Sequence, residues 1–258
     1  MAARRVLFVH GAAGDARVWA PVIAALPPSM VGEAIDLAYH GPRRGSAGDG
    51  SDFGTRLHRD DLIAALEAGE TPAHVVGWSY SCHVVFAAML ARPELFASIL
   101  CHEPSMPTYV EDAAQMAAFH ADFGPRFAPV FAAVAQGDDA GALAAMCGEA
   151  WQAIAPARQA IYLDNAATLP LLFGGGEAPM PIRAASLAAC DIPACITLGD
   201  ASPDTFAVPA RAAAGALASG RLQIVAGAGH FLPELQPARF AHIVGDWTGS
   251  PAAAPGRA

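Results

Sequence analysis

One serine lies at the centre of the residues of this chain that could do chemistry. Ser79 stands in the sequence Gly77-Trp78-Ser79-Tyr80-Ser81, after an apolar run and before a segment whose apolar residues recur at helical spacing. The pattern predicts a strand, a sharp turn and a helix, with the serine at the apex of the turn. Both residues two positions from such a serine must be small, because the helix and the strand pass closely. Gly77 meets this requirement, and Ser81 departs from the usual glycine by one hydroxymethyl group.

A base for this serine has one clear candidate. The five residues around Ser79 are by themselves equally compatible with an ordinary turn, and a serine hydroxyl is a poor nucleophile without a base. His230 lies in the loop GAGHF at residues 227–231, directly after the last predicted strand. Many lone histidines are structural, but a glycine loop at a strand end is not a core position. We therefore expect His230 to act as the general base.

A developing oxyanion would also need fixed hydrogen-bond donors. The turn supplies the backbone N–H of Tyr80, and the loop HGAAG at residues 10–14 supplies a second from Ala12. The same loop could instead be a turn that serves only the fold, or a phosphate loop. A phosphate loop is disfavoured because the G-x-G-x-x-G and G-K-[ST] spacings are absent from it. We expect Ala12 and Tyr80 to form the oxyanion hole.

The composition limits the classes of protein and partner. The 258 residues are 54% hydrophobic and 15% charged, which suits one large globular domain with a sizeable core. A net charge of −9 argues against a nucleic-acid partner and against an anionic membrane surface. The cysteines are odd in number and lack metal-ligand spacing, so we expect no metal site and five buried hydrophobes: Cys82, Cys101, Cys147, Cys190 and Cys195.

We also expect no targeting signal and no membrane span. The apolar run at residues 6–9 is too short for a signal-peptide core, and no apolar segment approaches the 18 residues of a membrane span. These features predict a cytoplasmic enzyme that does not cross a membrane.

Strand and helix patterns place these motifs. Short β-rich runs predict six strands, at residues 6–9 and 33–37, at the run Val75-Val76 that leads into Gly77, and at residues 98–101, 194–198 and 222–225. Four helical segments follow one another without a strand at residues 109–123, 127–136, 141–151 and 157–169. The arrangement predicts an α/β fold with a mostly parallel six-stranded sheet, flanked by helices and carrying an inserted helical cap. We expect the core at 1–104 and 188–250, the cap at 105–187 and a disordered tail at 251–258.

In order and spacing these motifs resemble those of the α/β-hydrolases. The shared features are His10-Gly11 after the first strand, Asp36 and His40-Gly41 after the second, GWSYS at the turn and GAGH near the C-terminus. The resemblance covers nearly the whole chain. It implies the α/β-hydrolase fold, a cap over the site, no cofactor and a Ser-His-acid triad.

The acid of that triad has two candidates. Many α/β-hydrolases carry it after the penultimate strand as G-x-x-D, but here Ser202 occupies that position and Asp200 is a displaced neighbour. Glu103, in the segment CHEP, follows the strand next to the serine turn, where zearalenone-type lactonases and some haloalkane dehalogenases have a catalytic glutamate. The alternative is that Glu103 has only a structural use, as a capping carboxylate or as one member of a salt bridge. We predict Glu103 as the acid, because Asp200 would need a rearranged loop to point inward.

The combination predicts a serine hydrolase that cleaves an ester or lactone of an apolar small molecule through an acyl-enzyme on Ser79. Large apolar residues in the predicted cap favour such a substrate, and we expect four residues to contact it: Trp78, Phe127, Trp151 and Phe231. The similarity to the lactonases extends through residues 101–103, 149–153 and 199–206. A dehalogenase is excluded, because its nucleophile is a carboxylate.

Two other functions stay open at this point. Some α/β-hydrolases cleave a C–C bond of a vinylogous diketone with the same triad, and their carboxylate substrates would need a positive anchor. The candidates for it are Arg43, Arg44, Arg158 and Arg183. A non-catalytic receptor could use the lidded cavity, although an intact serine, histidine and acid argue against this. We expect a monomer or a homodimer.

Overall fold

The computed structural model describes residues 3–45 and 48–250. Its centre is a parallel six-stranded sheet with the strand order β2-β1-β3-β4-β5-β6. The strands are β1 (Arg4–Val9), β2 (Met30–Ile35), β3 (Ala73–Trp78), β4 (Phe96–His102), β5 (Ala194–Gly199) and β6 (Gly220–Val225). The predicted α/β class and the six strands are confirmed, although β2 begins and ends earlier than the sequence pattern predicted.

Burial across the sheet follows the strand order. Every residue of β3, β4 and β5 is buried, because helices cover both faces of a parallel sheet. The edge strands are partly exposed, with Val31 in β2 at 50% and Ile224 in β6 at 46% exposure. The strands that precede Ser79 and Glu103 therefore lie in the protected middle of the sheet.

Eleven α-helices in the described part of the chain surround this sheet. They are α1 (Ala20–Ala24), α2 (Thr55–Glu67), α3 (Tyr80–Ala91), α4 (Ala113–Ala135), α5 (Asp139–Cys147), α6 (Ala150–Ala153), α7 (Pro156–Asp164), α8 (Ala184–Ala188), α9 (Asp204–Ala216), α10 (Leu232–Leu235) and α11 (Pro237–Gly249). Short 3₁₀ turns occupy Ala16–Trp19, Gly41–Arg43, Pro93–Leu95 and Ala166–Thr168, and a π turn occupies Leu171–Gly175. None of these helices combines the length and apolarity that a membrane span requires.

Alternate residues of each strand point to opposite faces, so the sheet divides the core into two clusters. The α3-side cluster contains Val75, Ile99 and Ile196 together with residues of α2 and α3. The α11-side cluster contains Val76 and Leu100 together with residues of α11, α4, α5 and α7. All five cysteines are buried free thiols, as predicted.

In sequence, helices α4 to α8 all come between β4 and β5, which is where the inserted cap was predicted. The structure corrects two of the predicted segments, because residues 109–123 and 127–136 do not form separate helices. A single helix, α4, contains both Pro125 and Pro129. The prolines are exposed, while Phe119, Phe127 and Val130 on the same helix are buried. Packing of that buried face offsets the hydrogen bonds that the prolines remove. The predicted tail at 251–258 lies outside the described residues.

The strand order also fixes where loops diverge. From β1 the chain crosses to β2 on one side of it, and β3 then returns to the other side. The loops that follow β1 and β3 therefore separate at the carboxyl edge of the sheet, and the crevice between them is where open α/β sheets bind ligands.

Candidate active site

Ser79 lies at the junction of β3 and α3. It is the single residue between Trp78, the last of β3, and Tyr80, the first of α3, and its φ of 60° and ψ of −117° make the sharp turn. A Cβ added to Gly77 would approach Val85 Cγ2 to 3.0 Å, so glycine permits the close passage of strand and helix. The N–H of Ser79 donates to the carbonyl of His102 at 2.9 Å, which holds the apex of the turn.

Ser81 has a structural use for the hydroxyl that distinguishes it from glycine. Its buried Oγ donates to the carbonyl of Val9 at 2.8 Å and accepts the N–H of Trp78 at 2.9 Å. The side chain thereby joins the serine turn to the end of β1. The departure from G-x-S-x-G adds hydrogen bonds and leaves the turn intact.

His230 is hydrogen-bonded on both ring nitrogens. Its Nε2 lies 3.0 Å from Ser79 Oγ, and its Nδ1 lies 2.9 Å from Oε2 of Glu103. An ionised carboxylate only accepts hydrogen bonds, so Nδ1 carries the proton and the Nε2 lone pair faces the serine hydroxyl. Trp78 donates its indole N–H to the carbonyl of His230 at 2.8 Å, which fixes the loop that carries the imidazole.

Glu103 is completely buried at the end of β4, with a φ of 49°. Its Oε1 accepts the N–H of Gly199 at 2.9 Å and the hydroxyl of Ser202, while Oε2 accepts from His230. Burial alone would raise the pKa of Glu103, but the hydrogen bond from His230, the electrostatic interaction with His102 and His230 and the Ser202 hydroxyl lower this pKa to about 2. The carboxyl group is therefore ionised at neutral pH.

Asp200, the other acid candidate, has a different partner. Its Oδ1 accepts the backbone N–H of Gly227 at 2.7 Å. This bond shapes the turn that precedes His230, and the imidazole itself is bonded to Glu103. Ser202, which stands where many α/β-hydrolases have the acid, donates its hydroxyl to that same Glu103.

Ala12 and Tyr80 both lie beside Ser79 at the same cavity. Within residues 3–45 and 48–250, neither backbone N–H donates to a protein acceptor, so both are free to bind an oxyanion. His10 donates from Nδ1 to the carbonyl of Gly11 at 2.9 Å and accepts the N–H of Leu37 on Nε2 at 3.1 Å. Because C=O and N–H of a trans peptide point in opposite directions, this bond turns the N–H of Ala12 away from His10.

The Tyr80 side chain is bonded within the protein. His58 must donate from Nε2 to the carbonyl of Ala38 at 3.1 Å, so its Nδ1 accepts the Tyr80 hydroxyl at 2.7 Å. Burial lowers the pKa of His58 to about 3, which keeps this imidazole neutral. Tyr80 thus offers the site only its backbone N–H. No sequence pattern pointed to His58, since a lone histidine on an amphipathic helix has no distinguishing feature.

A cavity of about 260 Å³ opens above Ser79 and His230. Three phenylalanines in the cavity wall recur at every fourth residue of α4: Phe119, Phe123 and Phe127. Their rings stack, with centroids 5.3 Å apart between Phe119 and Phe123 and 4.6 Å apart between Phe123 and Phe127. The predicted contact residues Trp78, Phe127 and Phe231 line the cavity. Lining residues that the sequence did not single out as substrate contacts include Met106, Met146, Tyr162, Leu172, Phe173 and Phe206.

Trp151 does not lie where the sequence predicted. It is absent from the cavity lining and is half-buried against the α11-side cluster. Gly148, with a φ of 58°, ends α5 and turns the chain before α6, the helix that carries Trp151. Local apolar character could not distinguish this packing position from a cavity wall.

The arginines considered as anchors also lie elsewhere. Among the described residues that line the cavity there is no arginine. Arg158 pairs with Glu234 at 2.6 Å, Arg43 pairs with Asp61 at 2.8 Å, and Arg183 is exposed. Arg44 lies 3.4 Å from Asn165 Oδ1. In the same described ranges, no group of three His, Cys, Asp or Glu side chains is placed to hold a metal ion.

The sequence matches the family model described as the alpha/beta hydrolase family over residues 6–243. No curated protein sequence matches this chain. Among solved structures, an esterase from a Rhodococcus species is 19% identical, with a TM-score of 0.74 over 96% of this chain and 91% of its own. MenH from S. aureus is 14% identical, with a TM-score of 0.74 over 96% and 94%. A carboxylesterase from Bacillus subtilis is 18% identical, with a TM-score of 0.69 over 94% and 82%.

At these identities the solved structures share the fold with this chain. The family match covers nearly the whole sequence, from β1 into α11, and includes the serine turn at Ser79 and the loop of His230. By this match the chain belongs to the α/β-hydrolase family.

Proposed function

We propose that this protein hydrolyses a carboxylic ester or lactone of an uncharged, apolar small molecule through a Ser79-His230-Glu103 triad. The observation that supports it most is the pair of hydrogen bonds on His230, 3.0 Å to Ser79 Oγ and 2.9 Å to Glu103, at the base of an apolar cavity. Both distances lie in the range required for direct proton transfer and for orientation of the base.

The chemistry follows from the atoms present. Ser79 Oγ attacks the ester carbonyl carbon while its proton passes to Nε2 of His230, and the carbonyl oxygen becomes an oxyanion. The N–H groups of Ala12 and Tyr80 would stabilise that oxyanion. The imidazolium, held by Glu103, returns its proton to the leaving alcohol oxygen. Water activated by His230 then cleaves the acyl-enzyme and restores Ser79.

The cavity walls support the substrate class. Apolar side chains make up most of the lining, and the hydroxyls of Tyr80 and Tyr162 are bonded to His58 and Glu234. A substrate would therefore gain mostly apolar contact outside the reacting group. Within the described part of the chain, the lining offers no cation for a substrate carboxylate. This favours an ester or lactone over the carboxylate-bearing vinylogous diketones.

The experiment combines covalent labelling with a substrate series. Wild type should react with a fluorophosphonate at Ser79, identified by peptide mass, and should hydrolyse p-nitrophenyl esters or lactones of an apolar acid. Ser79→Ala should lose both by several orders of magnitude and keep its circular dichroism spectrum, because the change removes only one hydroxyl at a turn. Ser105→Ala is the matched control, since Ser105 lines the same cavity but is not bonded to His230.

Each outcome has a stated meaning. Full activity in the folded Ser79→Ala protein would overturn the proposal. Binding of esters by wild type without labelling or turnover would identify a receptor. Turnover of a vinylogous diketone in preference to every ester would identify the C–C hydrolase.

A further inference from the structure

Phe206 lies face to face with the proposed base. Its ring and the imidazole of His230 are 3.7 Å apart between centroids and inclined by only 8°. The other rings near His230 are more distant, with Phe231 edge-on at 5.5 Å, Trp78 at 5.9 Å and His102 at 6.5 Å. Phe206 is therefore the one ring in direct stacking contact with the base among the ring pairs of the described residues.

The residue before Phe206 is held from the cap side of the cavity. Asp122 of α4 accepts the backbone N–H of Thr205 at 3.0 Å and also the Thr205 hydroxyl, in the first turn of α9. Pro203, the residue preceding α9, contributes no side-chain capping bond. The hydrogen bond from Arg126, with those from Thr205, lowers the pKa of Asp122 to about 2, so the capping group is charged at neutral pH.

We infer that Phe206 is a positioning residue for His230, and that Asp122 makes this positioning depend on α4. The inference rests on the proposed function of the site. Glu103 holds the imidazole at one edge, through Nδ1, and leaves rotation about that hydrogen bond unrestrained. The stacked ring restrains it, because a tilted imidazole would meet the face of Phe206. Nε2 is thereby kept directed at Ser79 Oγ.

Stacking also has an electrostatic effect. The face of an aromatic ring attracts a cation, so Phe206 stabilises the imidazolium that forms when Ser79 gives up its proton. The titratable groups around the base are Glu103 and His102 at the end of β4, Asp200 in the loop beside it and Asp204 at the exposed start of α9. A substitution at Phe206 replaces none of these titratable side chains.

A dependence on the cap follows. Helix α7 is fixed to the core by the Arg158–Glu234 ion pair and by the bond from Asn165 to Asp15 at 2.8 Å. Helix α4 reaches α9 through Asp122. If α4 moves outward to admit a substrate, Thr205 loses its capping acceptor and Phe206 loosens over the base. Proton transfer would then resume only when α4 returns.

The test compares Phe206→Leu with Phe206→Tyr. Leucine keeps apolar bulk over the imidazole and removes the ring face, whereas tyrosine retains the face. We expect Phe206→Leu to lower kcat/KM by about tenfold and to move the acidic limb of its pH profile to lower pH by about half a unit. Phe206→Tyr should keep kcat/KM and the acidic limb of the pH profile close to those of wild type. The same shift should appear without substrate, in the NMR titration of the His230 imidazole.

Asp122→Ala tests the connection to the cap. It should lower kcat/KM several-fold without changing the esters preferred. Asp112→Ala is its matched control, because the Asp112 carboxylate caps α4 itself, through the N–H of Gln115 at 2.8 Å, whereas the Asp122 carboxylate caps α9. Asp112→Ala should leave kcat/KM unchanged.

A folded Phe206→Leu protein with wild-type kcat/KM and a wild-type His230 titration would overturn the role of Phe206. Equal losses in Asp122→Ala and Asp112→Ala would overturn the connection to the cap. Failure of wild type to turn over or label would remove the proposed function, and the NMR titration would still decide whether Phe206 acts on the imidazole.

Discussion

Two residues of the proposed triad occupy backbone conformations that most side chains avoid. Ser79 has a φ of 60° and Glu103 a φ of 49°. Such conformations cost roughly 1 to 3 kcal/mol each. Their N–H groups donate to the carbonyls of His102 and Thr197, at 2.9 and 3.0 Å, and these bonds hold both residues in place. These conformations therefore cost stability at the two positions that orient the proposed nucleophile and the proposed acid.

The two carboxylates near the histidine loop should differ in their effect on turnover. Glu103→Gln removes the charge that stabilises the imidazolium and can present an N–H to Nδ1, so we expect kcat to fall by about 10⁴-fold. Asp200→Asn keeps an oxygen that can accept the N–H of Gly227, so we expect a loss of about tenfold or less. Both variants are measured on one ester at one pH, after circular dichroism shows that they are folded. The reverse ranking would assign the acid to Asp200.

At the scale of elements, α4 is the helix that makes the cavity wall apolar. Phe119, Phe123 and Phe127 form one stripe on it, and Phe173 meets the ring of Phe127 at 5.8 Å. A helix places every fourth residue on one face, so a single element supplies much of the apolar wall. Changes on this stripe should act on substrate choice.

Phe127→Ala should enlarge the cavity and shift the preferred p-nitrophenyl ester toward longer or bulkier acyl groups. Trp151→Ala is the contrasting variant, because Trp151 packs outside the cavity. It should lower the melting temperature through lost packing and leave the ranking of esters unchanged. The measurement is kcat/KM across an acyl-length series, with thermal unfolding of both proteins. A change of ester ranking in Trp151→Ala alone would contradict the assignment of these two residues.

At the scale of the whole molecule, six histidines are held neutral by burial. Burial lowers the pKa of each, to about 4 for His10, His74, His83 and His102 and to about 3 for His40 and His58. An unfolded chain would protonate all six near the ordinary histidine value of about 6.5. The unfolded state therefore binds more protons than the native state between about pH 6.5 and pH 4.

Stability should consequently be fully present above about pH 6.5 and should fall as the pH is lowered toward 4. Each histidine that stays neutral in the folded protein makes the free energy of unfolding fall as the pH is lowered through that window. Glu103 adds to the loss only below about pH 4.5, because its pKa is lowered to about 2 in the folded protein. Urea unfolding at a series of pH values measures the slope.

One histidine variant sharpens this experiment. His74→Gln removes one buried imidazole, bonded to Ser98 Oγ at 2.8 Å, and should make the free energy of unfolding depend less steeply on pH. A free energy of unfolding that does not vary between pH 6.5 and 5 would show that these histidines are not held neutral.

Much of this protein could be predicted from local sequence. Runs of β-branched and apolar residues gave the six strands, and Gly77 with Ser81 gave the turn at Ser79. Helix boundaries were predicted less well: the sequence pattern divides α4 at residues 124–126, whereas the buried face of α4 tolerates both Pro125 and Pro129 inside one helix. These outcomes share one cause, since periodicity and turn chemistry depend on residues that are neighbours in the chain.

Tertiary structure decided what depends on residues far apart in sequence. Which carboxylate lies beside His230 is set by the pairing of β4 with β5 and by the loop after β6, which bring together residues 127 positions apart. Packing of α9 under α4 places Phe206 on the imidazole, and the turn at Gly148 sends Trp151 away from the cavity. The sequence identified the candidate reactive groups because their chemistry is local, but the distances between these groups arise only when separate elements pack against one another.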